Sequence, residues 1–133
     1  MIRTGVLVIN KYKNKKTLTF DGILHDSRKE ANRWTELKLM LRAGEIEDLR
    51  RQVKYELIPA QYEVTERYSR NGKRLKDDRK LVEKPVYYIA DFVYIDKRTG
   101  KEVVEDTKGI KTKDYILKRK LMLYHLGIRI HEI

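Results

Sequence analysis

Apolar residues recur along this chain with two different periods, and the changes of period mark its elements. Glu30, Trp34, Leu37 and Leu41 follow i, i+4, i+7, i+11 spacing, which places them on one face of a helix with its apolar side toward a core. Asp26 or Ser27 serves as N-cap and Gly44 as the C′ glycine. A helix is therefore predicted from near Ser27 to near Ala43, with Glu30 at the inner edge of its buried stripe. A second helix is predicted from about Thr112 to Leu126, closed by Gly127. Its apolar face is built on Leu117, Leu121 and Tyr124, with Ile116 and Leu123 beside it.

Between the helices the pattern is that of strands. Leu49 to Ile58 reads as a strand ended by Pro59, and Gln61 to Tyr68 as a continuing one. Asn71-Gly72 is a hairpin-turn signal inside a stretch, 65–84, that is poor in apolar residues and reads as a projecting basic arm. Val86 to Ile95 is almost wholly β-branched or aromatic, broken by Ala90 and Asp91, and is predicted as a strand buried on both faces. Arg98-Thr99-Gly100 turns it into an antiparallel neighbour, Lys101 to Lys108. A last strand follows at Ile128 to Ile133. At the other end, Val6-Leu7-Val8-Ile9 is a short strand, Asn10 to Lys16 a basic loop, and Thr17 to Phe20 a short strand turned by Asp21-Gly22. The order gives an α/β (α+β) sandwich around one mixed sheet.

At 133 residues the chain is sized for one domain, 1–133. It has no Cys, which excludes a disulfide frame and Cys-ligated zinc. No apolar run is long enough to span a bilayer, and no leader-like segment is evident, so an intracellular, cytoplasmic protein without a membrane partner is expected. The 31 Lys and Arg outnumber the 20 Asp and Glu, for a net charge of +11. Such an excess attracts polyanions, and nucleic acid is the commonest one inside cells. Residues 1–20 hold five basic side chains and no acid, and 65–84 hold eight against four. Lys11, Lys13, Lys15, Lys16, Arg70, Lys73 and Arg74 are thus candidate phosphate contacts, joined by Lys111 and Lys113. Tyr12, Tyr68 and Tyr115 serve equally well as stacking or packing groups.

Asp91 interrupts an apolar strand, where a carboxylate is costly unless paired, protonated or metal-bound. Strand alternation puts Asp106 and Lys108 on one face and Glu105 and Thr107 on the other. A hairpin then lays Asp91 beside Asp106, with an ammonium one strand step away. Hard oxygen donors of this kind suit Mg²⁺, held by Asp91, Asp106 and a backbone carbonyl at Thr107, with Mn²⁺ able to substitute. The chemistry that follows is metal-assisted phosphodiester hydrolysis, with Lys108 orienting a water or stabilising charge.

Asp91 together with Asp106-Thr107-Lys108, in an order of helix, three strands, helix and strand, resembles the PD-(D/E)XK nuclease superfamily. The segments Asp26 to Ala31, Tyr88 to Tyr94 and Val104 to Gly109 also resemble small phage-encoded members of it. The likeness covers roughly residues 10–60 and 86–133. Ala90 stands where the superfamily has Pro, and Asp106 where Glu is commoner, so Glu105 is an alternative ligand that alternation disfavours. The resemblance implies a restriction-endonuclease-like core, a central mixed sheet flanked by helices, and a Mg²⁺-dependent DNA endonuclease. It further implies preference for branched DNA, as in Holliday junction resolvases, a homodimer, and Glu30 as a further catalytic and metal-binding acid.

Ser27 to Glu30 is also an ordinary capping box, so Glu30 is either a cap or a ligand. His25, His125 and His131 have no zinc spacing and read as incidental, with His25 alone near the proposed site. The rival functions are a nonspecific DNA or RNA nuclease, a catalytically inactive nucleic-acid-binding module of the same fold, and an RNA-binding protein without chemistry.

Overall fold

The computed structural model describes residues 8–9 and 15–133. Lys11 and Lys13, and Val6 and Leu7 of the expected first strand, lie outside them. Three short strands, β1 (Val8–Ile9), β2 (Lys15–Leu18) and β3 (Leu24–His25), pair antiparallel in that order. Gly22, at φ +84°, makes the turn between the last two.

Helix α1 covers Arg28–Arg42. Ser27, rather than Asp26, caps it: its hydroxyl accepts the Glu30 N–H at 3.1 Å. Glu30, Ala31, Trp34 and Leu37 are its buried residues. Leu41, expected on that face, is exposed, because the stripe runs off the sheet in the last turn.

Strand β4 (Ile46–Ile58) leads to β5 (Gln61–Tyr68) and β6 (Arg74–Glu83), which pair only with each other. The arm is therefore a β-hairpin that begins at Gln61, and β5 does not extend the main sheet. Strand β7 (Val86–Asp96) and β8 (Lys101–Asp106) follow, then helix α2 (Lys113–Leu126) and β9 (His131–Glu132). The main sheet has the order β4-β7-β8-β9. Its first two pairings are antiparallel, and β8 with β9 is parallel, so α2 is the crossover that a parallel pairing requires. The last strand is shorter than the sequence pattern predicts.

The helices cover opposite faces of this sheet. Phe92 and Tyr94 pack with Trp34, Leu37 and Ile46 on the α1 side. Val93 and Val104 pack with Tyr115 and Met122 on the α2 side. Neighbouring strand residues point opposite ways, so the two clusters are the two faces. Burial on both faces accounts for the apolar residues of β7 on either side of Asp91, although Ile89 remains exposed.

The predicted face of α2 is corrected in part: Ile116 and Leu121 pack, partly buried, against the core. Tyr115 and Met122, one heptad apart, are its buried residues, whereas Leu117, Leu123 and Tyr124 are exposed. Apolar residues surround most of this helix, so periodicity alone picks no single side. Its ends are as expected. The Thr112 hydroxyl accepts the Tyr115 N–H, and Gly127 closes it at φ +68°, where a side chain would be strained. Among the described residues no helix is long and apolar enough to cross a membrane.

Candidate metal centre and its surroundings

Phe92 pairs with Glu105 across β7 and β8, so the next position along each strand sets Asp91 opposite Asp106. Thr107 fastens this end of the hairpin. Its N–H and its hydroxyl each donate to Oδ2 of Asp91 at 2.8 Å. Alternation puts Thr107 on the far face, but β8 ends at Asp106, and the freed backbone lets the hydroxyl reach Asp91. Asp106 is fully buried. Its Oδ2 accepts a hydrogen bond from the Tyr88 hydroxyl. Its Oδ1 is buried without any hydrogen-bond partner, with Lys108 Nζ 3.5 Å away. The Lys108 ammonium also stands 4.8 Å from the centre of the Tyr115 ring, a cation–π distance.

Burial, followed by the negative charge of Asp91, pushes the Asp106 carboxyl up to about 7; the Tyr88 hydrogen bond and the Lys108 charge oppose this. Burial and the bond to Asp106 together push the Tyr88 hydroxyl well above the usual tyrosine range, so it stays a donor.

Glu105 points the other way, into the α1 face. It is fully buried, takes hydrogen bonds from Arg33 Nε at 2.8 Å and Nη2 at 2.6 Å, and accepts one from the Tyr94 hydroxyl. The fork geometry is bidentate. The bond to Glu105 holds the Arg33 guanidinium well above its ordinary range. Glu105 is thus spent on a tie between α1 and β8, and Asp106 alone of the two acids faces Asp91, as alternation predicts.

Glu30 is buried but lies in a separate group. Its Oε1 is 3.4 Å from Nδ1 of His25 and accepts from Gln52 Nε2 at 3.3 Å. Among the described residues no three His, Cys, Asp or Glu side chains gather tightly enough to enclose an ion, so the structure does not bring Glu30 into the Asp91–Asp106 pair. Its backbone N–H takes the cap, while its carboxylate does not return to Ser27. Gln52, bonded to Glu30, stands between the two groups along the sheet. The pairs Arg51 with Phe92 and Val53 with Ala90 put Gln52 opposite Asp91 on β4, and it holds φ +54° within a strand. A non-glycine residue in that conformation is strained.

The donor set fits a hard divalent cation that retains water. Two carboxylates stand opposite each other, one has a buried oxygen with no partner, and the backbone after Asp106 is free of the ladder. A cleft of about 280 Å³, lined by Tyr87, Tyr88, Lys108, Thr112, Tyr115 and Lys118, opens beside the centre. A larger one of about 620 Å³ lies at the other end of β7, around Tyr94 and Asp96, away from both aspartates.

Of the expected phosphate contacts, Lys15, Arg70, Lys73, Arg74 and Lys113 are exposed and Lys16 is half-buried. Arg74 pairs with Asp77 at 3.0 Å and Glu66 at 3.5 Å, and Lys111 with Glu132 at 3.5 Å. Tyr115, a candidate stacking group, is buried and donates to Glu132 at 2.9 Å. Sequence reasoning missed Arg33, Gln52 and Tyr88, whose partners lie far away along the chain. His25 lay close enough to Glu30 in sequence to have been found.

The family described as Protein of unknown function (DUF1064) matches residues 9–131. The chain belongs to that family. Comparison with the curated proteins and with the solved structures finds no match to it.

Proposed function

We propose that this protein is a Mg²⁺-dependent endonuclease that hydrolyses DNA phosphodiesters. The observation that carries the reading is the pairing of Asp91 with a buried, partly orphaned Asp106 beside the Lys108 ammonium. The succession α1, β4, β7, β8, α2, β9 supports it, being the helix, three strands, helix and strand of the PD-(D/E)XK superfamily.

Asp91, Asp106 and the Thr107 carbonyl would hold the ion, which when bound lowers the pKa of a coordinated water and neutralises charge on the phosphoryl group. Thr107 orients Asp91 by its two donations. Tyr88 orients Asp106 and favours its ionised form. The Lys108 ammonium is aimed at the same carboxylate and, next to the cleft, can hold a phosphate oxygen in line. Exposed lysines and arginines give the sequence-independent attraction. Two copies related by a two-fold axis would offer one such centre to each of two strands, so a homodimer acting on four-way junctions is the form proposed.

The test is cleavage of junction, duplex and single-stranded DNA in Mg²⁺ and in EDTA. Cutting in Mg²⁺ only, strongest on the junction, and lost in Asp91→Asn with binding retained, is expected. Cleavage that survives EDTA or the Asp91→Asn change defeats the reading.

A further inference from the structure

The β5–β6 hairpin has no core. Every residue of β5 is exposed, and every residue of β6 except Asp77. A two-stranded ribbon open to water on both faces is marginal by itself. Its composition is divided along its length. Residues 67–76 hold Arg67, Arg70, Lys73, Arg74 and Lys76 and no acid. Among the described residues Arg67, Arg70, Lys73 and Lys76 enter no ion pair, although acids occur on both strands nearby.

The register sorts the faces. Tyr62 pairs with Leu81, Val64 with Arg79 and Tyr68 with Arg74, so these share one face. Arg79 lies 4.2 Å above the Tyr62 ring and Arg74 6.0 Å from the Tyr68 ring. Stacking of this kind holds the Arg79 guanidinium flat with its N–H edge available to a phosphate, whereas the Arg74 edge is already paired with Glu66 and Asp77.

We infer that this hairpin is a nucleic-acid-binding ribbon, which enters the major groove of a DNA duplex with the Arg67–Lys76 tip on the phosphates. The dimensions suit it. The eight residues of β5 make a ribbon of roughly 26 Å at about 3.3 Å each, and the major groove admits a two-stranded ribbon. Charge decides against a second copy of the chain as occupant, since that copy carries the same +11 and the same acid-free tip. The inference deepens the nuclease reading by assigning it a substrate-holding element, and it rests on that reading only for its purpose.

Binding is measured in EDTA by fluorescence anisotropy on a duplex of about 30 base pairs, across a range of salt. Replacing Arg67, Arg70, Lys73 and Lys76 together by Gln, with the thermal melt unchanged, lowers the slope of log affinity against log salt by about 3 to 4, near 0.9 for each contact. Affinity at moderate salt falls at least tenfold. An unchanged slope and affinity overturn the inference. So does a Tyr62→Ser, Val64→Ser, Leu81→Ser variant that converts a dimer to a monomer by light scattering while DNA binding stays intact. Because no cleavage is scored, the outcomes separate. A slope loss in a protein that never cuts DNA keeps the ribbon and ends the nuclease reading, whereas Asp91-dependent cutting with an indifferent tip does the reverse.

Discussion

Thr107 places two donors, its backbone N–H and its hydroxyl, on the same oxygen of Asp91. The residue that follows one aspartate thereby fixes the other. Hydrogen bonds to an ionised group contribute about 1.5–3 kcal/mol each. Thr107→Val removes the hydroxyl and keeps the N–H. It should reduce single-turnover DNA cleavage roughly tenfold or more, while Thr107→Ser retains most of the rate. Equal rates in Val and Ser variants would show that the hydroxyl does not orient Asp91.

The Asp106 carboxyl, raised to about 7, answers to its neighbours in opposite directions. Tyr88→Phe removes a hydrogen bond to the ionised form, so the pKa should climb further. Asp91→Asn removes a negative charge, so it should fall. Carboxyl ¹³C shifts followed against pH in metal-free protein measure both, and a common direction would contradict the geometry.

That raised pKa also sets a stability profile. An acid with a higher pKa folded than unfolded weakens the native state as it is forced to ionise. The penalty from Asp106 is absent below its unfolded value near 3.8, grows as pH rises toward about 7, and is complete above that. In EDTA, Asp106→Asn should therefore gain more in melting temperature at pH 8 than at pH 5. Mg²⁺ should raise the wild-type melting temperature more at pH 8 than at pH 6, and should do little for Asp91→Asn. Calorimetry at the three pH values decides.

The half-buried Arg33 and the fully buried Glu105 form a bidentate pair joining α1 to β8. Arg33→Ala strands a buried carboxylate and should cost about 3–5 kcal/mol. The double change Arg33→Met with Glu105→Leu should recover most of it, because neither charge then remains. Urea unfolding of the three proteins tests the pair, and a double variant no better than the single would refute it.

Helix α2 offers a contrast between what pattern suggests and what packing selects. Met122 is fully buried and Tyr124 is 89 % exposed. Met122→Ala should cost about 2–5 kcal/mol, whereas Tyr124→Ser should stay within about 0.5 kcal/mol. Thermal unfolding of both variants checks the side of the helix that meets the sheet.

These cases mark what was legible in sequence. Helix ends were, because Ser27, Thr112, Gly44 and Gly127 act through local hydrogen bonds and backbone angles. The opposition of Asp91 to Asp106 was, because a short hairpin and strand alternation are local rules. The inner side of α2 was not, since several stripes were apolar and only the sheet chooses among them. Arg33 and Gln52 were invisible for a related reason: their partners, Glu105 and Glu30, lie 72 and 22 positions away. Glu30 was read correctly as buried and His25 as lying near the site, but the contact between them and the role of Gln52 were not foreseen.

Glu105 and Asp106 are consecutive, yet one serves as an anchor for a helix and the other as the floor of the proposed metal centre. Sliding β8 by a single position against β7 would exchange these places and leave an intact-looking sheet in which Asp106 no longer faces Asp91. The pairing is fixed some distance away, at the Arg98-Thr99-Gly100 corner, where Gly100 takes φ +71° and its N–H closes on the Asp96 carbonyl at 2.7 Å. A lesion at that remote corner would therefore break the facing of Asp91 and Asp106 as completely as loss of either aspartate.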